Sequence, residues 1–187
     1  MAEAQRRRWT FDEYMAWEAE QPTRHEFVDG ATRAMNGGSI RHGRIGANLR
    51  ALLWIALRGK RCEVFGPDTK LVTGNGNVRY PDAIIECGRP ADAAQAAVEP
   101  VAVFEVLSRS TAWFDQTRKL RDYAATPTIR HYVLISQDNR SAVAYTRDAA
   151  GNIPLNAPVI EGEGAAIELP SPGITLPLAD LYEGLDD

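Results

Sequence analysis

Glu105 is the single charged residue in the apolar run VAVFEVL, Val101 to Leu107. A carboxylate buried in such a run is costly unless a cation or hydrogen bonds compensate it, so a partner is expected. A second carboxylate, Asp82, follows Pro81 and opens the short apolar segment AIIEC, at the mouth of a strand that should be largely buried. Two acids on strand ends suit a hard divalent cation, Mg²⁺ or Mn²⁺, which takes oxygen ligands and keeps several waters for its substrate. Such an ion polarises a phosphodiester and lowers the pKa of a bound water. Lys119 supplies the remaining charge, orienting the attacking water or neutralising the phosphorane. Asp115, Lys119 and Tyr123 follow at four-residue spacing on one helical face, which makes Asp115 an i to i+4 support for Lys119.

These side chains need strands and helices to carry them. The polar turn Ser108 to Thr111 offers N-caps for a helix that starts near Trp113. Upstream, Thr10 with Glu13 forms a capping-box pattern for a short helix from Phe11 to about Glu20, which Pro22 closes. In RHEFVDGATRAMNGG, Asp29-Gly30 between two short alternating segments predicts an N-terminal hairpin. Glu26 lies on its first strand, and two readings stand for it: an exposed strand glutamate, or a metal or water ligand.

Ser39 caps a longer helix, IRHGRIGANLRALLWIALRGK, with an apolar stripe of Ile45, Leu49, Leu52, Leu53, Ala56 and Leu57. The opposite face carries Arg41, Arg44, Arg50, Arg58 and Lys60, either a solvated face or a phosphate-facing ridge. His42 sits in the first turn, where the helix dipole disfavours a charged imidazole, so a neutral structural role and a substrate-facing one both stand. Strands are expected at CEVFG, TKLVT and VRYPDAIIEC, with GNGN as a turn, and IRHYVLIS and SAVAYTR should pair antiparallel through QDNR. His131 in the first of that pair reads as packed or surface. The expected core covers about residues 10–147 of a single domain, and residues 148–187 read as a strand-poor, acidic C-terminal extension with short strand-like pieces (PLNAPVI, AAIEL, GITL) and a final turn of helix in LADLYEGL.

Composition narrows the classes. At 187 residues the chain is long enough for one hydrophobic core without staples. Its two cysteines, Cys62 and Cys87, lack CxxC spacing, which argues against zinc and for buried free thiols in a reducing cytoplasm. The longest apolar run, ALLWIAL, is too short to span a bilayer, so no membrane partner is expected. The net charge is −4, yet the seven acids from Glu161 onward, with no Lys or Arg among them, leave Met1 to Ile160 at +3. A mildly basic body keeps a nucleic-acid partner in play.

The chain resembles the Uma2 family, a bacterial group in the PD-(D/E)xK nuclease superfamily. The matching pieces are RHEFVDGATRAMNGGS, His42 in the next helix, YPDAIIE, VFEVLSRSTAWFDQTRKLRDYA and IRHYVLIS, in family order over roughly Thr10 to Tyr145. The resemblance implies an α/β, restriction-endonuclease-like fold: a central mixed β-sheet flanked by α-helices. It further implies Mg²⁺ or Mn²⁺ ligation by Asp82, Glu105 and the Val106 backbone carbonyl, with Glu26 at the family's additional acidic position. Leu107 stands where the superfamily's strand lysine would be, so the catalytic lysine role falls to Lys119. Asp115, Tyr123, His42 and Ser108 are supporting residues. Arg109 departs from the family's usual proline, and it alters the turn or joins Arg41 and Arg44 as a nucleic-acid contact.

The expected activity is hydrolysis of DNA phosphodiester bonds by a metal-dependent endonuclease, with specificity either low or built by a homodimer. Two other classes compete: a nucleic-acid-binding or assembly module without turnover, and a hydrolase of another phosphate ester.

Overall fold

The computed structural model describes residues 8–35, 37–107 and 112–185, with the side chains of 112–116 outside that description. Helix α1 (Phe11–Glu18) begins at the expected capping box, in which Thr10 and Glu13 satisfy each other's backbone N–H groups. Strands β1 (His25–Val28) and β2 (Ala31–Ala34) form the hairpin. Asp29 and Gly30 both take positive φ, 51° and 80°, the pattern of a tight two-residue turn. Helix α2 (Ile40–Leu57) starts where Ser39 Oγ accepts the His42 N–H, and it buries Ile45, Leu49, Leu53 and Leu57.

Four short strands follow: β3 (Glu63–Phe65), β4 (Leu71–Val72), β5 (Val78–Arg79) and β6 (Ala83–Glu86). The segment VRYPDAIIEC is therefore two strands. Pro81 lacks an N–H for a ladder, and the chain passes there from one sheet to another, β5 pairing with β1 and β4 and β6 with β3. The GNGN turn before β5 docks on the C-terminal end of the next helix, where any Cβ on Gly74 would collide with the Ala125 carbonyl.

Strand β7 (Pro100–Leu107), helix α3 (Ala112–Ala124) and strand β8 (His131–Ser136) form a parallel crossover, and β9 (Ser141–Thr146) returns antiparallel to β8. The remaining elements are β10 (Val159–Glu161), β11 (Ala166–Leu169), β12 (Ile174–Pro177) and α4 (Leu178–Leu181). The main sheet is mixed, in the order β10-β9-β8-β7-β6-β3, beside a four-stranded sheet β2-β1-β5-β4 and the β11-β12 hairpin. One face of the main sheet packs on α2, β11, β12 and α4 through Phe104, Val106, Ile85, Ile167 and Leu181. Its other face packs on α3 through Val103, Ile84, Leu120 and Tyr123. β7 is buried on both faces, which is why it reads as a nearly continuous apolar run.

Two expectations are corrected. Residues 148–187 are not strand-poor: they supply three strands and a helix, and Ile167, Leu169, Ile174, Leu176, Leu178 and Leu181 complete the α2 side of the core. The strand-like pieces PLNAPVI, AAIEL and GITL supply β10, β11 and β12, whose apolar faces close only against distant partners. The cysteines are not free: Cys62 and Cys87 form a disulfide, with Cα atoms 4.1 Å apart. The register Glu63↔Glu86 of β3 and β6 sets the two residues opposite each other one step further on. The free-thiol argument for a reducing compartment falls with that pairing. No described helix is long and apolar enough to cross a membrane.

Candidate active site

The antiparallel register of β6 and β7, Ile84↔Val103 and Ala83↔Phe104, runs on to set Asp82 beside Glu105. Directly opposed residues of this kind share a sheet face, and two like charges there repel unless something lies between them. Asp82 is held from two sides: its Oδ2 accepts the Val106 N–H at 2.7 Å and its Oδ1 meets His42 Nε2 at 2.9 Å. Val101 and Leu107 turn their carbonyls to the β8 side, where they accept from Arg130 and Gln137. By strand alternation the Val106 carbonyl faces the Asp82 side.

Glu105 is buried, and α3 provides its partners. Tyr123 donates its hydroxyl to Glu105 Oε1 at 2.8 Å, and Lys119 Nζ lies 2.9 Å from Oε2. Their four-residue spacing brings both onto one face of the helix. Burial pushes the Glu105 carboxyl up to about 7; Lys119 opposes the rise and the charge of Asp82 adds to it. The Tyr123 hydroxyl is raised by burial and then by the neighbouring Glu105. His42 is also raised, first by its hydrogen bond to Asp82, against the lowering effect of burial. The helix dipole that argued for a neutral imidazole is thus outweighed by a carboxylate at bonding distance.

Glu26 belongs to the same cluster rather than to an exposed strand surface. Its side chain is 13% exposed, with Oε1 3.8 Å from Lys119 Nζ and Oε2 2.7 Å from Arg79 Nη1. Arg79, 1% exposed, also binds Asp122 through Nε at 2.8 Å and Nη2 at 2.6 Å. Asn75 and Asn77 donate to the other Asp122 oxygen. Arg79 and Asp122 were absent from the sequence reading. A lone arginine between Val78 and Tyr80 carries the same signal as Glu105 in its apolar run, and it was readable by the same rule.

The other expected residues lie elsewhere. Arg41 donates through Nε to the Gln137 carbonyl at 2.6 Å, tying the start of α2 to the β8–β9 turn, and Arg44 is exposed on the helix. Ser108 and Arg109 fall outside the described residues; Asp115 lies on α3, with its side chain outside the description.

Among the described residues, no group of three or more His, Cys, Asp or Glu side chains is arranged to hold a metal ion. A cation here would rest on Asp82, Glu105 and the Val106 carbonyl, all hard oxygens, with water for the remainder. That set fits Mg²⁺ or Mn²⁺ and not a soft, fully protein-caged metal. A cation between the two acids would relieve the repulsion from Asp82 that adds to the effect of burial on Glu105.

The chain as a whole is similar to several known proteins. Two Synechocystis sp. proteins, the uncharacterized proteins slr1290 and sll1609, are each 33% identical, over 93% of this chain and 91% of the first, and over 68% of this chain and 75% of the second. A crystal structure of "a putative nuclease belonging to DUF820" from Anabaena variabilis matches with a TM-score of 0.74 at 17% identity, covering 92% of this chain and 97% of that one. At that identity the likeness speaks for the fold, which is restriction-endonuclease-like. The family model for Uma2, described as "Putative restriction endonuclease", matches residues 11–179. The chain belongs to the Uma2 family.

Proposed function

We propose that the protein is a metal-dependent endonuclease that hydrolyses DNA phosphodiester bonds at the Asp82–Glu105 pair. The observation that carries this reading is the opposition of two carboxylates across β6 and β7, with Lys119 2.9 Å from one of them. Mg²⁺ or Mn²⁺ on Asp82, Glu105 and the Val106 carbonyl would polarise the phosphodiester and acidify a bound water. His42 and the Val106 N–H hold the Asp82 carboxylate in place, and Tyr123 does the same for Glu105. Lys119, reaching both Glu105 and Glu26, orients the water for in-line attack and offsets the charge that grows on phosphorus. Arg79 anchors Glu26, which keeps a counter-charge beside Lys119 and limits where its ammonium can go. The P–O bond to the leaving oxygen breaks as the water oxygen adds; the water's proton passes to solvent or to a neighbouring carboxylate, and the leaving oxygen takes up a proton from solvent.

The test is cleavage of supercoiled plasmid and single-stranded DNA with Mg²⁺, Mn²⁺ or chelator, beside Asp82→Ala and Lys119→Ala. Metal-dependent cleavage absent from both variants is the expected result. A folded protein that binds metal and cuts neither DNA would move the site to another phosphodiester. One that binds no metal would be a non-enzymatic module.

A further inference from the structure

Residues Gly30 to Cys62 contain seven Lys or Arg and no Asp or Glu, in a chain whose net charge is −4. Most of that charge rides on α2 and the turn after it. Arg50, Trp54 and Arg58 follow at i, i+4 and i+8, so they form one row along the helix. The row begins at the candidate site, where Arg50 Nη1 lies 3.4 Å from the Asp82 carbonyl. It continues through Trp54, an indole left 58% exposed, and ends at Arg58, whose guanidinium lies 5.1 Å from the Trp54 ring centroid. An indole left this exposed lies outside the hydrophobic core; between two arginines it matches what a nucleic-acid strand offers, phosphates alternating with π-faces. The acidic end of the chain lies on another flank of α2, where Asn48 donates to the Leu181 and Glu183 carbonyls.

Resting on the nuclease reading above, we propose that the Arg50–Trp54–Arg58 row binds an unpaired stretch of nucleic acid leading away from the scissile phosphate, with a base stacked on Trp54. Four residues of helix advance about 6 Å, close to the spacing of successive nucleotides in an extended strand, so Arg50 and Trp54 address neighbouring positions. A paired base already has its neighbours in the helix stack, so the platform selects single strands, overhangs and frayed ends.

Fluorescence anisotropy of a labelled 15-nucleotide single strand and of a matching blunt duplex, in chelator so that nothing is cut, tests this. Trp54→Ala should weaken single-strand binding about tenfold, the size of one lost base stack, and leave duplex binding within about twofold. Trp54→Phe should restore most of the loss. Unchanged single-strand affinity in folded Trp54→Ala, or no binding by the natural protein, overturns the proposal. So does light scattering that shows a dimer becoming monomeric in Trp54→Ala, which would give this face to a second copy of the chain. A stacking effect in a protein that never cleaves retires the nuclease reading alone; a protein that cleaves with Trp54 irrelevant retires this inference alone.

Discussion

Two buried glutamates in this protein have the same kinds of partner. Glu105 meets Lys119 at 2.9 Å and the Tyr123 hydroxyl at 2.8 Å. Glu18, fully buried at the end of α1, meets Lys70 at 2.7 Å and the Tyr80 hydroxyl at 2.8 Å. What differs is the next charge out. Around Glu105 it is negative, from Asp82 and Glu26, whereas near Glu18 it is Arg24, 3.8 Å away. The Glu18 group is thereby closed by its own cations and locks α1 to β4 and β5. The Glu105 group carries surplus negative charge, which the proposed Mg²⁺ or Mn²⁺ would offset. A Glu–Lys–Tyr set is therefore no signature of a site; the sign of the charge left over separates the two.

Glu86, also fully buried, marks the other extreme. Its carboxylate is satisfied by the backbone N–H groups of Gly88, Val98 and Glu99, all neutral donors. Gly88 allows this because a Cβ there would lie 2.8 Å from Glu86 Oε1.

The sharpest way to break the comparison is to neutralise each glutamate. Glu105→Gln should lower DNA cleavage by roughly 10³-fold, the scale of losing a central electrostatic element, while leaving the urea midpoint unchanged or higher. Glu18→Gln should leave Lys70 buried with a neutral partner, cost about 3–5 kcal/mol in urea unfolding, and preserve cleavage per folded molecule. A Glu18 variant that is stable but inactive would erase the distinction.

Arg79→Met comes next, because it strips the shared cation from Glu26 and Asp122 together. A stability loss of about 3–5 kcal/mol is expected by denaturant titration. A neutral result would mean that the asparagines and Lys119 suffice to hold both acids.

Surplus charge also predicts where a cation binds. Saturating Mn²⁺ or Mg²⁺ at 100 times its dissociation constant should stabilise the protein by about 2.7 kcal/mol, read as a rise in Tm. Asp82→Ala should abolish that rise, and Glu18→Gln should keep it.

The smallest effect concerns a group whose hydrogen-bond partners are neutral. His131 accepts the Ser171 N–H at Nε2, so Nδ1 carries the proton and donates to Thr146 Oγ1. Burial lowers it to about 4 from the ordinary 6.5. The unfolded chain takes up a proton below about 6.5 and the folded one does not, so stability is complete above that pH and declines toward pH 4. His131→Gln should flatten this decline in urea midpoints between pH 7.5 and 5; parallel curves would assign it to other groups.

Elements whose cause lies within a few residues were legible from the chain. The Thr10–Glu13 box, the Asp29-Gly30 turn, the Ser39 cap and the α2 stripe depend on i to i+4 relations or on φ preferences, and each appears where those rules place it. Asp82, Glu105 and Lys119 were legible as chemistry, and the structure brings them together with Glu26, His42 and Tyr123. The Cys62–Cys87 disulfide, the packing of the strand-like pieces after residue 148 against α2 and the pairing of Arg79 with Asp122 were not. Each depends on a register or docking between segments whose separation no local pattern encodes.

The amino-acid order set which groups are costly to bury and which local shapes carry them: a carboxylate within an apolar strand, a lysine and a tyrosine one turn apart on a helix. Which lysine and tyrosine answer which glutamate was settled by packing. Tyr123 reaches Glu105 because α3 lies on the β7 face that Glu105 points to, and Lys70 reaches Glu18 because β4 begins beside α1. Burial makes an unpartnered charge expensive wherever it falls, and the fold chooses the partner because only the assembled sheets and helices bring the candidates within bonding distance.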